Sequence, residues 1–306
     1  MNAPTSSPTA ATAAAAPPAK TQNIAGATAS MMVALVSFSL IGVAGREASR
    51  VVTTAELMFW RGLIGTLVLV AILRASGAIR PQVMSAQPWL HGVRATVHFG
   101  AQFSWLYAVT LIPLAQLFAL EFTAPLWVAL LAPLLLGERL TATRLAAAVV
   151  GFVGTLIVVR PGVAGLSTGA AFALASALGF ALSMICTKRL LRTDTPICII
   201  FWMHVLQTGI AAVGLLYTGV TWPDPWTWMW ITIVGLAGLA AHFSLARAFS
   251  LADAIIVAPM DFLRVPLIAI VGALAYGEAL NPWVLGGGVV ILVANTLNIL
   301  GERRRR

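Results

Sequence analysis

Gly137-Glu138-Arg139-Leu140 returns 140 residues later as Gly277-Glu278-Ala279-Leu280, and the reading of that echo decides the fold. Working back from it at the same offset, Glu121-Phe122 falls on Asp261-Phe262 and Leu111 on Leu251. Ala108 falls on Ala248, and Phe103-Ser104 on Phe243-Ser244. Two apolar stretches match by chance at apolar positions. Chance is a poor account of an acidic residue before Phe and of Gly-Glu-x-Leu, both recurring at one constant spacing. The chain therefore reads as two copies of one unit.

Outside these motifs the composition sets the solvent. Of 306 residues, 59% are hydrophobic and 9% charged, with a mean hydropathy of +0.92. A soluble domain carries about a quarter charged residues because its surface meets water. This surface has to meet lipid. A span needs roughly 20 apolar residues, and ten segments qualify: 24–43, 54–73, 89–111, 114–136, 142–159, 168–184, 196–217, 226–246, 254–276 and 282–300. Pro113 and Asp253 divide stretches too long for one span, and Arg160-Pro161-Gly162 separates the halves. The expected fold is an all-α membrane protein of ten transmembrane helices, arranged as two five-helix repeats over 24–160 and 161–300. A flexible tail over 1–23 and a basic tail over 301–306 flank them.

Lys and Arg accumulate in cytoplasmic loops. With the amino terminus inside, 13 of the 19 fall on inner segments and three (Arg46, Arg50, Arg160) on outer ones. Arg61, Arg94 and Arg264 lie within spans. Both termini are then cytoplasmic. Five spans per repeat is an odd number, so the second copy enters the membrane from the opposite side. Inverted repeats are a transporter design, with a substrate site near the midplane and alternating access. The net charge of +9 lacks the clustered soluble face that nucleic acid requires, so no nucleic-acid partner is expected. Cys186 and Cys198 match no metal or redox spacing.

Phe59-Trp60-Arg61, Pro125, Leu136-Gly137-Glu138-Arg139-Leu140 and Tyr276-Gly277-Glu278 resemble the ten-helix EamA-type carriers of the drug/metabolite transporter superfamily. The likeness covers about 24–300. It implies two inverted five-helix repeats in a bacterial inner membrane, working without ATP on amino acids, other metabolites or vitamins such as riboflavin. The segment 259–278, with Asp261-Phe262-Leu263-Arg264, is similar to members that handle riboflavin or other ring-bearing metabolites.

Ionisable residues inside spans face the bundle interior or an aqueous path. The candidates for a substrate or proton pathway are Glu121, Asp261, Arg264, Arg61, His98, Gln102, Trp105, His204 and His242. Glu121 and Asp261 are repeat-related. They can carry protons, hold a cationic group, or lock onto arginines; Asp261 and Arg264, three apart, pair easily. Arg61 can meet a carboxylate, or pair structurally with Glu56 or Glu121. His98 and Gln102 share a helix face, as do His204 and Gln207, and Gln102 matches His242 across the repeats. The histidines can relay protons or simply pack, and their spacing suggests no metal. The Gly-Glu motifs read as helix ends, with Glu capping the following helix. Trp222, Trp226, Trp228 and Trp230 read as an interfacial belt.

The expected function is secondary-active transport of a small metabolite, amino acid-like or ring-bearing. No catalytic residues, cofactor or metal are expected, and the partners are a small-molecule substrate and the bilayer. Pairing of two copies is left open. The alternative is a membrane-embedded enzyme acting on a lipid, but no HExxH, Walker loop or GxSxG elbow supports it.

Overall fold

The computed structural model describes residues 23–75, 77, 82–137, 142–160, 166–252, 257, 260–261 and 263–303. Glu138, Arg139, Pro161, Gly162, Asp253, Phe262 and most of both tails lie outside them. Among the described residues every element is helical: α1 Ile24–Ala48, α2 Thr54–Ala75, α3 Pro88–Leu111, α4 Leu114–Glu121, α5 Ala124–Leu136 and α6 Ala142–Val159. The second half holds α7 Thr168–Leu190, α8 Pro196–Thr218, α9 Pro225–Leu251, α10 Arg264–Tyr276 and α11 Pro282–Arg303. Among the described residues seven spans are long and apolar enough to cross a membrane: α1, α2, α7, α8, α9, α11, and the pair α4–α5 counted as Leu114–Leu136. The α3 helix carries too many polar residues to meet that criterion, and α6 and α10 are shorter.

Local chemistry sets the starts. Asn23, Ser167, Thr195 and Asp224 accept hydrogen bonds from the first free N–H groups of α1, α7, α8 and α9. Proline opens α3, α8 and α9, where its missing N–H costs nothing.

The repeat is visible in the backbone itself. Ile112 (φ −132°, ψ 160°) and Ala252 (φ −146°, ψ 161°) are extended and end α3 and α9. Thr123 and Leu263, both with ψ −14°, precede α5 and α10. Gly137 (φ 69°) and Gly277 (φ 65°) close those helices in the left-handed conformation that glycine adopts freely. All three pairs are 140 residues apart. The segment expected as one helix over 114–136 is thus two, broken at Phe122 and Thr123. Pro125 has no N–H to give, and the Phe122 carbonyl freed by the break accepts from Asn295 Nδ2 of α11 at 2.9 Å.

Packing follows the same exchange. The α1 helix packs on α9 and α3 on α7, while α2 packs on α8, α4 on α10 and α6 on α11. Swapping each first-half helix for its counterpart leaves the α1–α9, α3–α7, α2–α8 and α6–α11 contacts unchanged as a set. Both of these packed helices, α1 and α9, bury many small residues, among them Ala27, Ala34, Ala44 and Ala48 on α1 and Ala237, Ala241, Ser244 and Ala248 on α9. Large apolar side chains point outward, with Leu216 82% and Leu274 84% exposed, while Arg264 is 3% and Gln207 2% exposed. That inside-out distribution suits a chain solvated by lipid.

The α6–α11 contact is the tightest test of this packing. A Cβ on Gly154 would stand 2.8 Å from Ile291 Cγ1 and 2.9 Å from the Gly287 carbonyl oxygen. Gly154→Val is expected to cost about 1–3 kcal/mol through overpacking, lowering the melting temperature in detergent. Gly209→Ala, where a Cβ meets nothing within 4 Å, should leave it unchanged.

Candidate functional site

The breaks in the repeated helices set charges side by side. Glu121 ends α4, Arg264 begins α10, and Asp261 lies three residues before Arg264. Arg264 Nη2 bonds Asp261 Oδ2 at 2.8 Å, and its Nη1 stands 3.5 Å from Glu121 Oε1. Trp105 of α3 donates from Nε1 to Glu121 Oε2 at 2.7 Å. The guanidinium lies over three rings: Phe38 at 4.2 Å, Phe122 at 4.8 Å and Phe118 at 5.4 Å. Quadrupoles of the rings favour a cation at such distances. One guanidinium neutralises one carboxylate of the two, which leaves the other to take a proton or a cationic group. Asp261 Oδ1 is buried without a hydrogen-bond partner.

A second polar group lies one turn away along α3. Gln102, three residues before Trp105, accepts from Arg61 Nη2. Gln207 of α8 accepts from the same nitrogen at 3.4 Å and donates to the Ala95 carbonyl at 3.5 Å. Arg61 therefore pairs with neither Glu56 nor Glu121. Glu56 is engaged by Thr53 and by the Thr221 N–H, and Glu121 by Trp105 and Arg264. Arg94, two turns before Gln102, donates from Nε to Thr187 Oγ1 of α7 at 2.6 Å.

The histidines line this second group without meeting one another directly. His98 sits edge-on to Phe180 at 5.4 Å, and its Nδ1 is buried with no partner. His204 is tied through Nδ1 to the Ile200 carbonyl at 3.0 Å and packs against Gly65. His242 stands edge-on to Phe38 at 5.7 Å, and the same ring covers Arg264. Of the nine residues named from sequence, His98, Trp105, His204 and Arg264 are buried and the other five half-buried. Glu121, Trp105, Asp261 and Arg264 meet in one group, and Arg61 with Gln102 in the other.

Sequence reasoning did not single out Phe38, Phe118 and Thr187; it counted Arg94 among the charges within spans, set Gln207 on one face with His204 and used Phe122 for the repeat, but named none of these three for the pathway. The i, i+4, i+8 stripe of Arg94, His98 and Gln102 was the available signal for Arg94. Thr187 and Phe38 carried none, because phenylalanine and threonine are ordinary inside spans.

Carboxylates also latch the two ends of the bundle. At one end Glu56 ties the start of α2 to Thr221 between α8 and α9. Nearby, Arg46 bonds Glu278 and caps α3 by donating to the Val109 and Ile112 carbonyls. Glu278 accepts from the Leu114 N–H at 2.9 Å. It therefore caps α4, not the helix that follows it, and it does so at the end of Leu114–Leu136 opposite Gly137. A crevice of about 150 Å³ beside Glu278 is smaller than metabolite pockets, which run to several hundred Å³.

At the other end Asp194, between α7 and α8, accepts from Ser85, from His91 Nε2 at 2.7 Å and from the Ala86 N–H at 3.4 Å. Cys198 lies close enough for His91, Asp194 and Cys198 to bring donor atoms within 4.8 Å of one another. Both oxygens of Asp194 are already engaged, so this group is a hydrogen-bonded clamp. Burial alone would raise the Asp194 pKa. Hydrogen bonds from Ser85, His91, Ala86 and Thr193 outweigh it and hold the carboxyl below the ordinary value of 3.8.

The EamA-like transporter family matches this chain twice, over residues 26–160 and 167–300. A riboflavin transporter of Rhizobium johnstonii is 30% identical over 90% of this chain and 91% of its own length. An S-adenosylmethionine uptake transporter of Rickettsia felis is 25% identical, covering 89% and 92%. A pseudopaline exporter of Pseudomonas aeruginosa is 28% identical, covering 86% and 92%. One solved crystal structure superposes with a TM-score of 0.63 at 20% identity, covering 92% of this chain and 99% of the other. That likeness is one of fold.

Since the Asp194 pKa is lower in the folded state, its stabilisation is full above the ordinary aspartate range and is lost as pH falls through the folded value. Asp194→Ala, which strands Ser85 and His91, is expected to cost about 1–3 kcal/mol at neutral pH. In melting curves taken from pH 7 downward, the gap between variant and parent should narrow below pH 3.8.

Proposed function

This chain belongs to the EamA-like transporter family, and from that premise we propose that it is a secondary-active carrier of a small metabolite working by alternating access. The carrying observation is the ionic group of buried Arg264 with half-buried Glu121 and Asp261 at matching breaks in two repeat-related helices. Lipid offers no reason to keep such charges, and a polar path through the bundle does. Broken helices around a midplane site are the means by which carriers expose unpaired backbone and charge to a substrate. Trp105 and Arg264 hold Glu121, so a proton or a cationic group reaching that carboxylate competes with the Arg264 contact. This competition couples site occupancy to the packing of α4 against α10. Relatives named for riboflavin, S-adenosylmethionine and pseudopaline are consistent with an amino acid-like or ring-bearing substrate, with riboflavin the first to try.

In this reading ten spans form two inverted five-helix repeats over 24–160 and 161–300. The protein lies in a bacterial inner membrane with both termini in the cytoplasm. Three observations support inversion: the 13 to 3 distribution of Lys and Arg, the exchange-symmetric packing, and the contact of Glu278 with the end of Leu114–Leu136 remote from Gly137.

Two measurements test the proposal. Sealed vesicles containing only this protein should show saturable counterflow of riboflavin or of another metabolite from an amino acid and vitamin set. Glu121→Gln should lower that flux by about tenfold, the scale of one lost charge-assisted contact. Absence of flux for the whole set, with and without a pH gradient, would sink the carrier reading. For topology, single cysteines at Val51, 52% exposed, and Thr193 in a background lacking Cys186 and Cys198 should label from opposite sides. Labelling from one side removes the inverted arrangement.

A further inference from the structure

Of the three arginines inside the bundle, Arg264 faces two carboxylates, and the other two face none. Among the described residues Arg61 touches only the neutral amides of Gln102 and Gln207, and its Nε is buried with no acceptor at all. Arg94, 8% exposed, has one bond, from Nε to Thr187, and the two ends of its fork bond nothing described. His98, His204 and His242 lie within electrostatic range of both arginines. Among the described residues the polar groups facing this region from α2, α3, α7, α8 and α9 are therefore arginine, histidine, glutamine, threonine and the Cys186 thiol, with no carboxylate. Two fixed positive charges in a lipid-embedded bundle, rich in unused donors and without a counter-charge, leave the place of an anion open.

We propose that the transported metabolite carries an acid group, a carboxylate or a phosphate, and that Arg61 and Arg94 receive it with Gln102, Gln207 and the three histidines around it. This rests on the carrier reading above and specifies its substrate. A guanidinium fork matches the paired oxygens of either acid, and charge-assisted bonds outcompete the neutral amide acceptors that Arg61 now holds. The placement also orients the molecule. Gln102 and Trp105 are three apart on α3, so the acid end lies one turn from the Glu121 carboxylate. A substrate with a basic or donor-rich portion then spans from the arginines to Glu121 and Asp261. Arg94 enters the site as a substrate-binding residue, and Thr187 fixes its fork from α7.

The test compares matched pairs that differ in the acid group alone. Riboflavin 5′-phosphate against riboflavin probes phosphate, and L-tryptophan against tryptamine and L-phenylalanine against phenethylamine probe carboxylate. Binding to the purified full-length protein is read by calorimetry and by thermal shift. The acid-bearing member of at least one pair should bind about tenfold tighter or better, and the pair that responds says which acid is recognised. Arg61→Gln and Arg94→Gln should each abolish the preference. Arg61→Lys and Arg94→Lys, which keep the charge but lose the fork, should retain part of it. If the Gln variants fail to elute as folded protein, the Lys variants and the parent's own preference decide.

Equal or weaker binding of the acid member in every pair overturns the inference, as does failure of every acid probe to bind. A preference that survives both Gln variants overturns it too. Failure here is separable from failure of the carrier reading. Riboflavin flux without any acid preference leaves the carrier and removes this site. Acid-selective binding without flux keeps the site and removes the carrier.

Discussion

A guanidinium or carboxylate placed beneath hydrocarbon has no water to fall back on, and each such group in this bundle is held by protein. Arg264 is the clearest case. Two carboxylates and three aromatic rings surround it, contributed by α1, by α4 and the break that follows it, and by the residues leading into α10. Removing any one of these leaves a charge that cannot relax into solvent. The packing of α4 on α10, the position of α1 and the hydrogen bond of Trp105 are therefore tied to a single side chain. Arg61 and Arg94 obey the same constraint differently, through neutral acceptors, and that difference separates a self-satisfied cluster from one that invites a ligand.

The same constraint governs the backbone. A helix broken inside the membrane frees carbonyl and N–H groups that need partners. Asn295 reaches from α11 to take up the Phe122 carbonyl, and Glu278 reaches across the bundle to the Leu114 N–H. Arg46 does the same for the last carbonyls of α3. These polar side chains are spread over the chain, yet each lies within reach of a break or an end. The break at Phe122 and the start of α4 are capped from the second repeat, so the local structure of the first half depends on the second.

Much of the architecture was legible in the order of residues. The offset linking Glu121 to Asp261 and Gly137 to Gly277 depends on positions along one chain, and the backbone repeats its angles at that offset. Among the described residues seven spans follow from apolar length, while α3, α6 and α10 fall short of it. Interior polar residues were recognisable because a membrane gives them nowhere else to be. Partnerships were not. Glu56 and Glu121 were natural guesses for Arg61, yet Gln102 and Gln207 hold it. Glu278 caps a helix 164 residues away in sequence, where its own sequel looked the simpler choice. Such pairings depend on which helices lie side by side, and apolar faces of similar composition do not encode that. The break at Phe122 was missed for a related reason. Pro125 marks a weak point, but whether a helix gives way there depends on a distant Asn295 being available to accept the consequence.

The latches at the two ends carry an implication for how such a molecule would cycle. Glu56 grips the loop before α9, and Asp194 grips the loop before α3. These are corresponding loops of the two halves, fastened by corresponding turns. A carrier working as proposed must undo one fastening to face outward and the other to face inward. The fastenings are unequal: Glu56 crosses to Thr221, whereas Asp194 crosses to Ser85, Ala86 and His91. Opening the Asp194 mouth forfeits more bonds, which biases the resting form toward that mouth being shut, while the gradients across the membrane set the direction of net movement.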